Sequence, residues 1–485
     1  MRRLLHGFRT YLQTMKFSWF VCLLALPVSL SVPGCDAFEA SLNFWSGTRE
    51  AEGSAAGEQG FGPVLLIGAD GLDFDVIRPL AEEGKLPNMV ELMEKGSFGV
   101  LLSEREMRSP PLWTTIATGR PRSIHGIYDF ITGSRLWPRE KRGGKRRLVT
   151  SKMRKTPAVW NLVSGADRKV AVIGWLNTWP AEEVNGIMVS PYVALGSKRQ
   201  VTIKGKVYPD VPHQVYPEHR WEEIKPLIVA SDEVPEDLVR EFAPEPEGAI
   251  ARDYPILNKY MSGLHWSLSH TLTVRNIALH VLKNDQPDLL MVYFEGSDSL
   301  AHRFWLFRQP RNEVVSQLKK NDYPVEHVAE LRENYGRVVD RYYVLLDEVI
   351  GDLISALPEG SRVLMMSDHG FTSRTGRYPP PPSVPFTGEH RMEGVLFISG
   401  PGIRSGHTIY GATHYHITPT VLDMLDVEAD IRFEGSSLLP QVQDLDDHQE
   451  LGPEPEPEED DEDEIDKAPF ADDEVERLRS LGYVE

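Results

Sequence analysis

The sequence predicts an α/β fold with a mostly parallel central sheet flanked by helices on both faces. Three observations carry this. Short apolar runs of strand length alternate along the chain with stretches of helical apolar spacing. The runs are apolar throughout, as strands buried on both faces require. Several of them stop abruptly on aspartate, histidine or glycine, at the carboxyl ends where parallel sheets gather their ligand sites.

In chain order, strands are expected at 64–69 (VLLIGA), 170–175, 289–294, 363–366 and 395–399. Helical spacing covers 74–95, 113–118, 264–282, 325–357 and 418–425. Two stretches break the rhythm: the strongly basic REKRGGKRRLVTSKMRK at 139–155, and 198–248, rich in Pro, Glu and aromatics. Both read as cap insertions, around 131–155 and 195–260, that roof the carboxyl edge of the sheet, where substrate selection resides. The basic stretch either attracts an anionic substrate or lipid head groups, or is a solvated loop. There is no internal repeat. At 471–485, Val475, Leu478 and Leu481 share one helical face with Gly482 as a stop, which predicts a short docked helix.

At 485 residues, 41% hydrophobic and with 10 Trp, the chain supports a large packed body, placed at 63–445. A net charge of -20 argues against a stable nucleic-acid complex, whose footprint would be basic. Half of that charge lies in EPEPEEDDEDEID, 454–466, within a segment at 446–470 that reads as a solvated, disordered tail. The two cysteines, Cys22 and Cys35, leave the body without a disulfide framework or a cysteine metal site. Arg2, Arg3, Arg9 and Lys16 precede an apolar run ending in SVPGC, the pattern of an export signal over 1–35. Gly34-Cys35 resembles a bacterial lipoprotein cleavage box with Cys35 lipidated; the alternative is an uncleaved anchor helix. Both place the body in the cell envelope or periplasm, tethered to a membrane through a linker at 36–62.

The chemistry sits at the strand ends. Asp70 follows the first strand in GADGL; Asp298 and His302 follow the strand at 289–294 at i, i+4, so a helix there would point both the same way. Asp368 and His369 end the strand of VLMMSDHGF, and His390 precedes the strand at 395–399. Three carboxylates and three imidazoles suit zinc, with manganese or iron as alternatives, and six such ligands fit two ions better than one. A paired-metal site serves in-line displacement at phosphorus and needs a nucleophile. Ser109, in RSPPLWTTIATGRPRSIHGI, opens a helix-like run, where unpaired amides favour an alkoxide and a bound phosphate. The rivals Thr114, Thr115 and Thr118 lie inside that run, where hydroxyls bond back to carbonyls. Asp73 and Asp75 read as helix-dipole partners.

The order and spacing of these residues resemble the alkaline phosphatase superfamily, and most closely its type I phosphodiesterase/nucleotide pyrophosphatase branch. The resemblance spans 63–427 and is sharp at Asp70-Gly71, SPPLWTTIATG with HGI, Asp298 with His302, and Ser367-Asp368-His369-Gly370. It implies an alkaline phosphatase-like fold. It implies one zinc on Asp298, His302 and His390, and a second on Asp70, Asp368 and His369 with Ser109 bound to it as nucleophile. It also implies a two-step reaction in which a phosphoseryl enzyme is hydrolysed. The branch ordinarily has threonine where this chain has Ser109, and Phe130 stands where nucleotide pyrophosphatases carry a phosphate-holding asparagine, which counts against nucleotide substrates.

The leading expectation is therefore a two-zinc phosphodiesterase acting on a small-molecule or lipid-head-group phosphate ester. A phosphomonoesterase or phosphotransferase on the same fold is the alternative, and a non-catalytic envelope binding protein the reading from another class. A sulfatase is excluded by SPPLW, which has Trp113 where that chemistry places arginine.

Overall fold

The computed structural model describes residues 62–143, 146–194, 200–203, 206–209, 211–374 and 384–443. The expected signal with Cys35, the linker before residue 62, the acidic tail and the C-terminal helix lie outside the described residues. Among the described residues, no helix is long and apolar enough to cross a membrane.

The described residues form thirteen strands: β1 (Val64–Ala69), β2 (Gly96–Leu102), β3 (Val170–Ile173), β4 (Gly186–Val189), β5 (Gln200–Ile203), β6 (Lys206–Pro209), β7 (Val215–Tyr216), β8 (Leu289–Phe294), β9 (Arg362–Met366), β10 (Gly370–Thr372), β11 (Glu389–Arg391), β12 (Glu393–Ser399) and β13 (His407–Ile409). Nine form one sheet in the order β13-β2-β12-β9-β1-β8-β3-β4-β7, while β10-β11 and β5-β6 are separate pairs. The neighbours β9, β1, β8, β3 and β4 are all parallel. β12 runs against β9 and β2, and β7 against β4. Because β12 is reversed, its beginning lies at the edge where β9, β1 and β8 end.

The expected parallel sheet with helices on both faces is thus the fold, and strand periodicity explains both layers. Leu66 of β1, Met291 of β8, Leu364 and Met366 of β9 and Val172 of β3 point to one face. There they join side chains of α3 (Ser109–Thr118), α4 (Val159–Gly165) and α8 (Ile417–Met424) in one apolar cluster. On the other side α5 (Ile256–Asn284) packs against β8 and β3, and α2 (Pro87–Lys95) against β2 and β12. α6 (Gly296–Arg308) and α7 (Val338–Ser355) pack with α5.

Two helices expected to be continuous are broken. The stretch 74–95 forms α1 (Phe74–Glu82) and α2, separated by Gly84 at φ +71° and restarted by Pro87. The stretch 325–357 forms Val328–Tyr335 and α7, jointed at Gly336 and Arg337. Leu86 offers α2 no side-chain cap, so the cap comes from α7: buried Asp347 accepts the Met89 N–H at 2.7 Å and the Asn88 N–H at 3.1 Å. Val149 and Met153 of the basic segment form a small apolar cluster with Ile127 and Trp137, which precede it.

Replacing Asp347 with Ala would leave those two amides without their acceptor. Asp347→Ala is expected to lower stability by about 1–3 kcal/mol in urea unfolding, and Asp347→Asn by less; an unchanged midpoint would show that α2 is held by packing alone.

Candidate metal centre

Four adjacent strands deliver the six candidate ligands. Asp70 follows β1, with its N–H bonded to the Phe294 carbonyl at 2.9 Å across to β8. Asp298 and His302 lie on consecutive turns of α6, which leaves the end of β8. Asp368 and His369 follow β9, and His390 sits in β11, just ahead of the reversed β12. Two glycines allow this approach. Gly71 turns with φ +69°, and a Cβ on it would lie 3.0 Å from the Asp298 Cβ; a Cβ on Gly370 would lie 2.2 Å from the Glu393 carbonyl oxygen.

Each histidine is oriented in the same way. His369 Nδ1 lies 3.1 Å from the Gly370 carbonyl oxygen and His390 Nδ1 3.2 Å from that of Met107; a carbonyl only accepts, so each Nδ1 bears the proton. His302 Nδ1 is 2.7 Å from the Thr387 hydroxyl, which donates to the Gly388 carbonyl at 2.9 Å and so accepts from His302. All three Nε2 atoms therefore face inward. His302 Nε2 and His390 Nε2 are 2.9 Å apart, and each approaches Asp298 Oδ1, at 3.3 and 3.1 Å. His369 Nε2 lies 3.3 Å from Asp70 Oδ1 and 3.9 Å from Asp298 Oδ1, with its ring stacked on His390 at 3.7 Å.

Acceptors thus meet acceptors in a buried pocket. Among the described residues, Asp70 Oδ1, both Asp298 oxygens, Asp368 Oδ2 and His369 Nε2 have no hydrogen-bond partner. Burial and the Asp298 charge push Asp70 up to about 6, and burial with the charges of Asp70 and Asp298 raises Asp368 well above the carboxylate range. Burial works against Asp298 as well, but His302 and His390 hold it below its ordinary value. Burial lowers His302 to about 4 and, with the nearby His390, lowers His369 well below its ordinary value.

The donor set fits divalent ions. Imidazoles whose other nitrogen donates to a carbonyl or hydroxyl, alongside carboxylates, are the partners of zinc. Ligand atoms within 4.8 Å of one another form two groups, Asp298-His302-His390 and Asp70-Asp298-His369. The first has the membership implied by the resemblance. In the second Asp298 takes the place expected for Asp368, whose Oδ2 stands 3.7 Å from His369 Nε2 and whose Oδ1 accepts the Gly71 N–H at 3.4 Å. Ser109 stands close by in the chain order of the site. It is the buried first residue of α3, between Met107, whose carbonyl orients His390, and Trp113, one turn on, whose indole N–H donates to Asp70 Oδ2 at 3.0 Å.

Three supporting residues escaped the sequence reading. Tyr293 donates to Asp70 Oδ2 at 2.6 Å, leaving only Oδ1 for an ion, and Thr387 and Met107 fix two histidine tautomers. Thr114 and Thr118 bond back to the Pro110 and Thr114 carbonyls as expected, whereas Thr115 turns to His125 Nε2 at 3.1 Å. His125 is fully buried and its Nδ1 accepts the Ile127 N–H at 3.2 Å; His416 caps Thr413, and His414 is buried. Asp73 does more than serve a helix dipole: it caps α1, accepts the Phe371 N–H at 2.9 Å and pairs with Arg391 at 2.5 Å.

A family profile described as type I phosphodiesterase / nucleotide pyrophosphatase matches residues 64–379. No curated protein matches the sequence. Among solved structures, human ectonucleotide pyrophosphatase / phosphodiesterase 5 is similar at 12% identity and TM-score 0.45, over 79% of this chain and 100% of that one. A putative sulfatase from Bacteroides thetaiotaomicron is similar at 12% identity and TM-score 0.44, over 79% and 74%. Phosphonoacetate hydrolase from Sinorhizobium meliloti is similar at 14% identity and TM-score 0.37, over 65% and 57%. Likenesses this distant carry no functional weight.

Zinc added to metal-stripped protein is expected to raise Tm through preferential binding to the folded chain. Tyr293→Phe should weaken zinc by roughly 10- to 100-fold in competition with a chelating dye; equal affinities would mean that Tyr293 has no hold on Asp70. A second expectation concerns acid. Burial and the charge of Arg122 lower His125 from 6.5 to about 3, so between those values the unfolded chain takes up a proton that the folded chain refuses. Stability therefore falls with decreasing pH over that window, by roughly 1.4 kcal/mol per unit from this residue. His125→Gln should flatten the slope of unfolding free energy against pH there and leave it unaltered above about 7; parallel slopes would contradict the assignment.

Proposed function

Because the chain belongs to the type I phosphodiesterase / nucleotide pyrophosphatase family of the alkaline phosphatase superfamily, we propose that this hydrolase is a two-zinc phosphodiesterase working through a phosphoseryl intermediate on Ser109. The single observation that carries the metal dependence is the convergence of three Nε2 atoms on buried carboxylate oxygens of which Asp70 Oδ1, both Asp298 oxygens and Asp368 Oδ2 have no hydrogen-bond partner among the described residues. Asp298, His302 and His390 would hold one ion, and Asp70 and His369 the other, with Asp368 and Asp298 completing it. Bound there, the ions supply positive charge to the phosphoryl oxygens and acidify the attacking and leaving oxygens.

The chain's own part is positioning. Ser109 presents its hydroxyl from the N-terminus of α3, in the field of the helix dipole. Fewer backbone amides assist than the sequence led one to expect: Pro110 and Pro111 have no N–H, and the Leu112 N–H is spent on the Arg108 carbonyl at 3.2 Å. The phosphoryl group then depends on the ligand cluster more than on a nest of amides. Ser109 attacks phosphorus as its hydroxyl proton passes to solvent, and the bond from phosphorus to the ester oxygen breaks. That oxygen takes up a proton from water and leaves as the alcohol, and a second water later cleaves the phosphoserine to free phosphate ester and serine. Phe130, at the position that would carry asparagine for a nucleotide, favours a non-nucleotide ester.

A phosphomonoesterase or a phosphotransferase would use the same groups, and an enzyme tethered to a membrane in the cell envelope, as the N-terminal run and Cys35 support, would meet phosphorylated lipid head groups. Zinc-reloaded protein should hydrolyse an aryl phosphodiester faster than an aryl phosphomonoester, and Ser109→Ala should lose at least 100-fold in kcat, within the range that removal of a catalytic nucleophile produces. The reverse preference would make it a phosphomonoesterase. Turnover of neither ester with zinc or manganese would exclude hydrolysis.

A further inference from the structure

α3 lacks the usual means of fixing its first turn. Its N-cap, Arg108, makes no capping hydrogen bond through its side chain, and the next two positions after Ser109 are prolines without N–H groups. The turn is fastened from outside, by the loop that follows β3. Asn177 on that loop donates from Nδ2 to the Pro110 carbonyl at 3.0 Å and to the Thr114 hydroxyl at 3.0 Å. Thr114 in turn donates to the same Pro110 carbonyl at 2.7 Å. Both amide hydrogens of Asn177 are thus committed to residues one and five positions beyond Ser109, closing a three-membered ring of hydrogen bonds around the turn that presents it.

Resting on the reading of Ser109 as nucleophile, we propose that Asn177 is a positioning residue that fixes the direction of the Ser109 hydroxyl by clamping the first turn of α3 to the loop after β3.

The backbone supports this assignment independently. Asn177 stands at φ +60°, a left-handed conformation that costs a non-glycine residue energy and that asparagine tolerates better than most. Glycine would suit the conformation better, so the side chain is what the position gains from asparagine. The loop is itself held firmly. Trp175 meets the Trp113 ring edge-on at 5.2 Å and donates from Nε1 to the Trp113 carbonyl at 3.4 Å, and the Thr178 hydroxyl donates to the Trp175 carbonyl at 2.6 Å. Since Trp113 also bonds Asp70, the loop ties the nucleophile's helix at two points, one of them on a residue that holds a candidate ligand. A displacement of about 1 Å at a reacting atom can cost roughly 100-fold in rate, so a clamp here acts on turnover, while substrate affinity is left to other groups.

The test separates side chain from backbone. Asn177→Gly removes the amide and relieves the left-handed strain, so its Tm should equal or exceed that of the parent. Its kcat on an aryl phosphodiester should fall about 10- to 100-fold with KM unchanged within about twofold. Asn177→Asp, of the same shape but without N–H donors, should lose as much. Parental kcat in either variant would overturn the proposal, as would a fall in Tm that accounts for the lost activity. A readout independent of catalysis distinguishes this inference from the activity it rests on: amide exchange at Leu112 and Trp113 should quicken in Asn177→Gly and remain unaltered in α5. Unchanged exchange at those amides overturns the clamp whether or not the parent hydrolyses the ester.

Discussion

The structure depends on how much like charge it gathers in one buried place. Three carboxylates and three imidazole lone pairs converge where β9, β1 and β8 end, and taking even one unpaired ion out of water costs several kcal/mol. Everything around the cluster is arranged to keep acceptors pointing at one another. The Gly370 and Met107 carbonyls and the Thr387 hydroxyl turn each imidazole the same way, and Trp113 and Tyr293 both spend their donors on a single oxygen of Asp70. Such an arrangement suits a bound cation.

The apolar core and the cluster are the same object seen from two sides. Trp113 packs edge-on against Trp175 and Tyr293 in the core face of the sheet while its N–H reaches Asp70. Gly68 makes room for it, since a Cβ there would lie 2.6 Å from the indole ring. A change in packing on that face is therefore a change in how firmly Asp70 is held, and core and catalysis cannot be varied separately at these positions.

The sequence made the candidate ligands legible because they end apolar runs. An unbroken apolar strand that stops on Asp70 or on Asp368-His369 has little reason to do so except at a site, and Asp298 with His302 carries helical spacing in plain view. The supporting partners were not legible. Met107 and Gly370 act through backbone carbonyls, which every residue has, and Tyr293 looks like one more apolar strand residue until its hydroxyl is seen to reach Asp70. β2 escaped notice because it carries two glycines and leaves Val100 and Leu102 exposed. The break between α1 and α2 was signalled locally by Gly84 and Pro87, but the cap that holds α2, Asp347, comes from far along the chain and no local pattern contains it. The reversal of β12, which brings His390 to the right edge, is a matter of topology that no short window contains.

The position of β1 in the middle of the sheet has a consequence for assembly. The hydroxyl of Tyr293 meets Asp70 across 223 residues of chain, and Asp368 meets Gly71 across 297. Closing loops of that length sacrifices chain entropy that local contacts cannot return, and an ion that binds only the finished arrangement contributes its affinity to the closure itself. Occupancy of the pocket would then record that both ends of a very long loop have met, and capture of an ion and completion of the fold would become a single cooperative event.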